Sequence, residues 1–477
     1  MSLAQKTQMS SRSFRHDPQS TRLGAAVRSV RPFVPCHSAP AAASVRRLQI
    51  RVGALSSDYQ PDVIVVGAGV AGLSCGATLA QRGVRPAVLE ASDGVGGRVR
   101  TDTVDGFLLD RGFQIFLTGY PEAQAALDYS ALQLQPFYAG ALVWQEGSFH
   151  RVADPLRHFA DGLASLPNPV GTPLDKVMVG VFRLKSLLGS VEELLARPET
   201  TIAERLKAEG FTDSIIRSFF RPFLGGIFFD RQLRTSSRLF EFVMRMLATG
   251  SNCLPAKGIG AVADQLATKL PQGAITLNTK VDAVRGKEVI LADGTKLTAR
   301  RGVVVAVEGP EASRILGGAL QSSPSKPDPG VGTCCLYFRA PKPPSSENIL
   351  YLNGEDGGIV NNCCFPSTVA PSYAPPGQAL VSVSTVGTFP ELSDEALEGE
   401  VRKQMSTWFG SGEVASWTHL RTYRIPFAQP NQAPPTNFSR PVALGGGVFV
   451  CGDHRDSATL DGAIKSGRRA AEALLQQ

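Results

Sequence analysis

Short unbroken apolar runs punctuate this 477-residue chain at Val63-Ile-Val-Val66, Pro86-Ala-Val-Leu89, Val303-Val-Val-Ala-Val307 and Val448-Phe-Val-Cys451. Their length and β-branched content fit strands covered on both faces, as in a parallel sheet. Asn278-Thr-Lys-Val281 and Gly332-Thr-Cys-Cys-Leu-Tyr-Phe338 read as further strands. Helices are expected from about Val70 to Gln81, over Ile215 to Thr249, and from Asp461 through Leu474. The stretch Val177 to Ala196 is the most apolar long segment, but Arg183, Lys185, Glu192 and Glu193 interrupt it, so it reads as an amphipathic helix. No run reaches the roughly 18 uninterrupted apolar residues that a membrane-spanning helix needs. Strands alternating with helices predict an α/β fold.

The first of these strands ends in Gly67-Ala-Gly69-Val-Ala71-Gly72, and the next ends in Glu90. In a dinucleotide turn, Gly67 permits the sharp exit from the strand, Gly69 leaves room for a pyrophosphate, and Gly72 lets the helix approach the sheet. The helix then points its amides and positive dipole end at the phosphates, and an acid at Glu90 can accept hydrogen bonds from ribose hydroxyls. Such a glycine turn alone is weak evidence, because any glycine-rich loop can match it. Here strand, turn, helix, strand and acid follow in order, and Gly96-Gly97-Arg98 adds a second turn. Near the C-terminus, an apolar strand ends in Gly452-Asp453, and Asp461-Gly-Ala463-Ile464 opens the last helix. Asp453 is placed to bind hydroxyls of a polyol chain, and amides near Gly462 to Ile464 could face negative charge on a ring.

Charge changes the picture little once its location is considered. The net charge is +7, but residues 1–57 hold nine Lys and Arg against Asp17 alone, and the remaining 40 basic and 41 acidic residues nearly cancel. An Arg-rich, Ser-rich, acid-poor leader without a continuous apolar core resembles an organelle transit peptide, and its Ser, Ala and Val content favours the chloroplast, stroma or thylakoid surface. A disordered basic tail is the plainer reading of the same residues. With the leader set aside, no nucleic-acid partner is expected. The eight cysteines include two adjacent pairs, Cys334-Cys335 and Cys363-Cys364. Neighbours on a strand point to opposite faces, so neither pair suits one metal, and none is expected.

Taken together, these blocks resemble the flavin-containing amine oxidoreductase superfamily, which includes monoamine oxidases, protoporphyrinogen oxidases and plant-type carotenoid desaturases. The resemblance extends over nearly all of residues 60–475 and includes Asp110-Arg-Gly112 and Leu254-Pro-Ala-Lys-Gly-Ile-Gly260. It implies FAD as a non-covalent cofactor, since no cysteine lies between Cys364 and Cys451, where a covalent anchor would be expected. By position it implies that Gly67, Gly69, Ala71 and Gly72 meet the pyrophosphate, Glu90 the adenosine ribose, and Gly97 and Arg98 a phosphate or ribityl oxygen. The main chain of Val281 would hold the adenine. Gln114 and Ile115 would lie beside the ring system, Gly452 and Asp453 at the ribityl or pyrophosphate, and Ala463 and Ile464 at the pyrimidine edge. The implied fold is α/β: a doubly wound FAD-binding domain of Rossmann-like, glutathione-reductase type, with an inserted α+β substrate domain. Expected boundaries are a leader at 1–57, FAD-binding segments at 58–120, 251–315 and 441–477, and substrate-domain segments at 121–250 (largely helical) and 316–440 (mixed sheet).

Departures from the family pattern bear on the substrate. Thr333 stands where amine oxidases carry a lysine that holds a water at the flavin, and Thr459 falls near an aromatic of their substrate cage. Phe219, Phe220, Phe223, Phe228 and Phe229 suggest an apolar cavity, or equally a helical core. Their segment resembles the Pro-Leu block of carotenoid and squalene-type desaturases. Hydride transfer to a flavin asks little acid or base of the protein, so no catalytic triad is sought. His454 is the one histidine near the expected site. The expectation is an FAD-dependent oxidoreductase acting on a small apolar isoprenoid or pigment-related substrate, with peripheral membrane contact. The alternatives are an amine oxidase and a flavin-bound scaffold without turnover.

Overall fold

The computed structural model describes the backbone of Arg51–Val52 and residues 60–318, 320 and 330–477, all within the unit Arg47–Gln477. Most of the expected leader lies outside the described residues. Arg51–Val52 nevertheless already pairs, parallel, with Thr276 and Leu277.

The nucleotide sheet runs in the order Arg51–Val52, Ile275–Leu277, Pro86–Leu89, Val63–Val66, Gly302–Val305, Val448–Val450, Ala443–Gly445. All pairs are parallel except the last. Continuous apolar runs suit this sheet because both of its faces are covered. Val63, Val65 and Val304 look toward helices Val70–Gln81, Gly260–Ala267 and Leu460–Leu475. Ile64, Val66, Val303 and Val305 look toward the antiparallel meander Val281–Arg285, Glu288–Leu291, Lys296–Thr298. This gives the three layers of an α/β FAD-type domain. The helix from Val70 to Gln81 and the strand Pro86–Leu89 have the limits expected of them.

A second sheet carries the other half of the molecule, in the order Thr418–Gln429, Val331–Ala340, Ala379–Thr385, Val360–Cys364, Leu350–Asn353, Gly140–Gln145, Ser148–Ala153. Only Leu350–Asn353 and Gly140–Gln145 pair in parallel. Cys334 and Cys363 enter one apolar cluster of this sheet, and Cys335 and Cys364 enter another, so alternation separates each adjacent pair. No metal-binding group of His, Cys, Asp or Glu occurs among the described residues.

Two sequence expectations need correction. Asn278–Val281 is not a strand: the sheet strand ends at Leu277, Asn278 is left-handed at φ 52°, and the next strand starts at Val281. The turn is held because Asn278 N–H donates to the Ser92 carbonyl (3.0 Å) and Thr279 N–H to that of Glu90 (2.8 Å). The amphipathic stretch from Val177 is divided between helices Pro173–Ser186 and Val191–Leu195, because Ser190 and Glu193 form a capping box that starts a new helix.

Candidate functional site

The glycine turn is built as its sequence implies. Gly67 has φ +103°, and a Cβ there would approach the Ala306 carbonyl oxygen to 2.8 Å. A Cβ on Gly72 would collide with the Gly67 carbonyl, which fixes the closeness of helix and strand. Gly69 differs from both, since a Cβ there would meet nothing within 4 Å. It faces an open cradle at the N-terminus of a twelve-residue helix that has no side-chain cap and no acid in its first turn. Unopposed amides and dipole at an open glycine make a seat for an anion.

The second turn closes over the first. Gly96 bridges to Gly69 and Gly97, at φ +59°, sits against the Gly69 Cα. Arg98 is thereby carried across to the far end of the chain. It donates to Asp453 Oδ1 (2.8 Å) and to the Ala428 carbonyl (2.8 Å), and its own carbonyl accepts from Gln114 Nε2 (2.8 Å). Burial works against the Arg98 charge, but Asp453 more than offsets this and holds its pKa above the ordinary value. Glu308, exposed at the surface, stands near both; desolvation raises its pKa, with Arg98 opposing and Asp453 reinforcing the shift.

Glu90 organises the adenosine side. Its Oε2 accepts from Ala68 N–H (2.7 Å), and its Oε1 from Ser92 N–H (2.9 Å) and Oγ (2.7 Å). Its carbonyl holds Thr279, which brings buried Val281 to the same end of the sheet. At the other end, Gly467 lets the last helix touch Ala71, and Ser74 Oγ donates to the Ile464 carbonyl (2.9 Å). Ala463 and Ile464 therefore lie beside the first helix. The amides of Gly462 and Ala463 are already engaged, bonded to Thr459 Oγ1 (3.0 Å) and to the Thr459 carbonyl (3.0 Å). Thr459 is the N-cap of that helix, a role its sequence signal Thr-x-x-Gly did not advertise. Ile115 is half-buried between two apolar clusters.

A family described as flavin containing amine oxidoreductase matches residues 70–475. The chain belongs to that family. It is 24% identical to a hydroxysqualene dehydroxylase of Sinorhizobium fredii over 448 residues, covering 87% of this chain and 99% of the relative. It is 41% identical to a putrescine oxidase of Kocuria rosea, but over 102 residues, 21% of this chain and 20% of that one. Across several such partial matches the chain spans about a fifth to a third of the relatives' length. An oxidoreductase from Methanosarcina mazei has the same fold, with a TM-score of 0.65 at 16% identity, over 87% of this chain and all of that one.

The family is one of flavin-containing oxidoreductases, and the residues of this chain fit a flavin dinucleotide. The open Gly69 cradle would receive the pyrophosphate, and the Arg98–Asp453 pair, near the second turn, would supply a donor and an acceptor for phosphate or ribityl oxygens. Arg98→Ala is expected to lower flavin retention tenfold or more, since Asp453, with its side chain 8% exposed, would lose its counter-ion. Arg98 is itself a third exposed, so breaking the pair costs less than the ~3 kcal/mol of a fully buried one. The ratio of flavin to protein absorbance after gel filtration, with thermal unfolding alongside, measures both; full retention in R98A would remove Arg98 from the site.

Thr333 is buried, and its hydroxyl donates to the Thr385 carbonyl (2.7 Å). Phe220 and Phe228 fill the core, whereas Phe219 and Phe223 are half-buried and stack at 5.4 Å. Phe228, Leu239, Val331, Gln429 and Ala458 line a crevice with room for about one water molecule, where the Phe-rich helix, the second sheet and the C-terminal segment meet. His454 is not offered to a substrate. Its ring lies against Gly452 and Gly309, and both nitrogens are buried without a hydrogen-bond partner. Burial, opposed by Asp453 and reinforced by Arg455, Arg98 and Arg440, lowers its pKa to about 4, so it is neutral at pH 7.

Proposed function

We propose that this enzyme oxidises or desaturates an apolar isoprenoid or pigment-related compound, passing hydride to FAD held without a covalent bond, in the plastid. The observation that carries the reading is full-length similarity to a hydroxysqualene dehydroxylase, against a putrescine oxidase match confined to about a fifth of either chain. Thr333 agrees with it: the amine-oxidase lysine is absent and the hydroxyl in its place is spent on Thr385, which leaves no ammonium to fix a water. Cys363, Cys364 and Cys451 are buried, and burial raises their thiol pKa values, that of Cys451 to about 12, which disfavours thiolate attack on a ring. The Arg- and Ser-rich leader supports the plastid.

Bound FAD would supply the electron sink, and the chain would supply position and dryness. Arg98, Asp453 and the two glycine turns would fix the cofactor. The stacked, half-buried pair Phe219 and Phe223 would offer apolar surface to such a substrate.

Anaerobic mixing of the purified flavoprotein with isoprenoid lipids is expected to bleach the flavin bands, and mass spectrometry of copurifying molecules should return an apolar compound. Bleaching by simple amines, with peroxide released in air, would replace this reading with an amine oxidase. A chemically reduced flavin that no lipid extract or quinone reoxidises would point to a scaffold.

A further inference from the structure

Seven buried side-chain nitrogens and oxygens among the described residues have no hydrogen-bond partner, and three of them sit side by side: both ring nitrogens of His454 and Nε of Arg455. Both residues lie in the turn between strand Val448–Val450 and the last helix, and Arg455 is 9% exposed. Buried polar atoms left unpaired are costly, so a turn that collects three of them points to a ligand. Arginines gather at the same turn. Arg440 N–H donates to the Arg455 carbonyl (3.2 Å), Arg440 Nη1 to the His454 carbonyl (3.3 Å), and Arg455 Nη2 to the Pro441 carbonyl, so each of the two side chains clasps the other's segment. Arg469, on the last helix, joins them by donating Nη2 to the Arg440 carbonyl (2.9 Å).

The carboxylates nearby do not balance these charges. Asp456 is shared by Arg469 (3.2 Å) and Lys465 (3.4 Å), and exposed Glu192 stands near Lys465. Asp453 is bonded to Arg98. Among the described residues neither Arg440 nor Arg455 has a carboxylate partner; their guanidiniums hold main-chain carbonyls only. Burial, reinforced by Arg440 and Arg469, lowers the Arg455 pKa to about 10, and no carboxylate opposes the shift. Arg440, Arg455, Arg469 and Lys465 thus face Asp456 and Glu192, which leaves the arginines in excess. A carboxylate ligand would cancel one of the two unmatched charges. A phosphate or diphosphate group cancels both, and its oxygens match the donor forks of guanidinium groups. Arg440 is exposed and open to solvent, whereas Arg455 is nine-tenths buried. A small soluble anion can reach both; a bilayer surface would meet Arg440 but not Arg455.

We propose that Arg440, Arg455 and Arg469 form a second anion site, beside the cofactor seat and separate from it, that takes the phosphate or diphosphate group of a soluble small molecule. The site is independent of what the flavin oxidises. Calorimetric titration of the flavin-loaded enzyme with inorganic pyrophosphate at low ionic strength is expected to show one saturable site, weakened by added salt. Arg455→Gln, and separately Arg440→Gln, should each weaken that binding by about tenfold or more while the ratio of flavin to protein absorbance stays at the parent value. The exposed Arg440 position keeps the test available should the buried variant fail to fold. Equal affinity of R440Q and the parent would overturn the proposal, and so would the absence of saturable binding. Acetate bound as tightly as pyrophosphate would overturn it too. Pyrophosphate that binds only after the flavin has been stripped would belong to the cofactor seat, and a separate site would be ruled out.

Discussion

Gly69→Val is expected to give a folded protein that purifies without yellow colour. A Cβ at this position meets no protein atom within 4 Å, and φ at Gly69 is −68°, which any residue adopts. The branched side chain therefore costs the polypeptide little, and far-UV circular dichroism should match the parent. The space it fills is the mouth of the uncapped helix, where a pyrophosphate must come close to the backbone. Loss of that approach should weaken FAD by about 100-fold or more, equivalent to about 3 kcal/mol. Gly72→Val is the contrasting control. Its side chain would strike the Gly67 carbonyl and the Ala306 side chain, so it should reduce folded yield as well as flavin. Flavin content and circular dichroism of the two variants separate the roles; a yellow G69V protein would mean that the cofactor does not seat at this helix.

What the sequence made legible was local. Gly67, Gly69 and Gly72 reveal their tasks because each is set by its own φ or by the strand beside it, and the limits of Val70–Gln81 follow from the same few residues. The hairpin Gly140–Ala153, inside a stretch expected to be largely helical, carried a signal too: Glu146-Gly147, both at positive φ, form a tight hairpin turn after the apolar run Ala141-Leu-Val-Trp144. Periodicity identified an amphipathic helix near Val177 but not which side its aliphatic stripe would face, since that depends on Phe240 and Thr212 packing against the other side. Asp110 was visible only as part of a motif. Thr101 is near in sequence, but the other two partners of the carboxylate lie 149 and 263 residues away, and nothing local announces them.

Asp110→Asn is expected to stabilise the protein at neutral pH, and Asp110→Ala to destabilise it. Asp110 Oδ1 accepts from Thr101 Oγ1 (2.6 Å) and Ile259 N–H (2.9 Å), and Oδ2 from the Tyr373 hydroxyl (2.9 Å), joining the nucleotide-binding segments to a helical turn beside the second sheet. Burial raises its pKa to about 6 despite those three donors. A carboxyl whose folded pKa lies above its unfolded value binds its proton more tightly in the native state. Its contribution is therefore fully present below about pH 4 and is lost as pH rises through about 6, amounting to about 3 kcal/mol at neutral pH. Asp461, whose pKa burial likewise raises to about 6, adds a decline of the same sign. Asn at 110 keeps an oxygen for Thr101 and Ile259, and its NH₂ can donate to the Tyr373 oxygen, without a charge to bury. Alanine leaves the Ile259 amide and two hydroxyls without their acceptor, at about 1–3 kcal/mol each. Melting temperatures from pH 4 to 8 should fall less steeply in D110N than in the parent, with D110N above the parent at pH 7 and D110A several degrees below D110N. Should D110N instead melt below the parent by a margin that widens with rising pH, the three donors would outweigh burial and Asp110 would work as a buried anion.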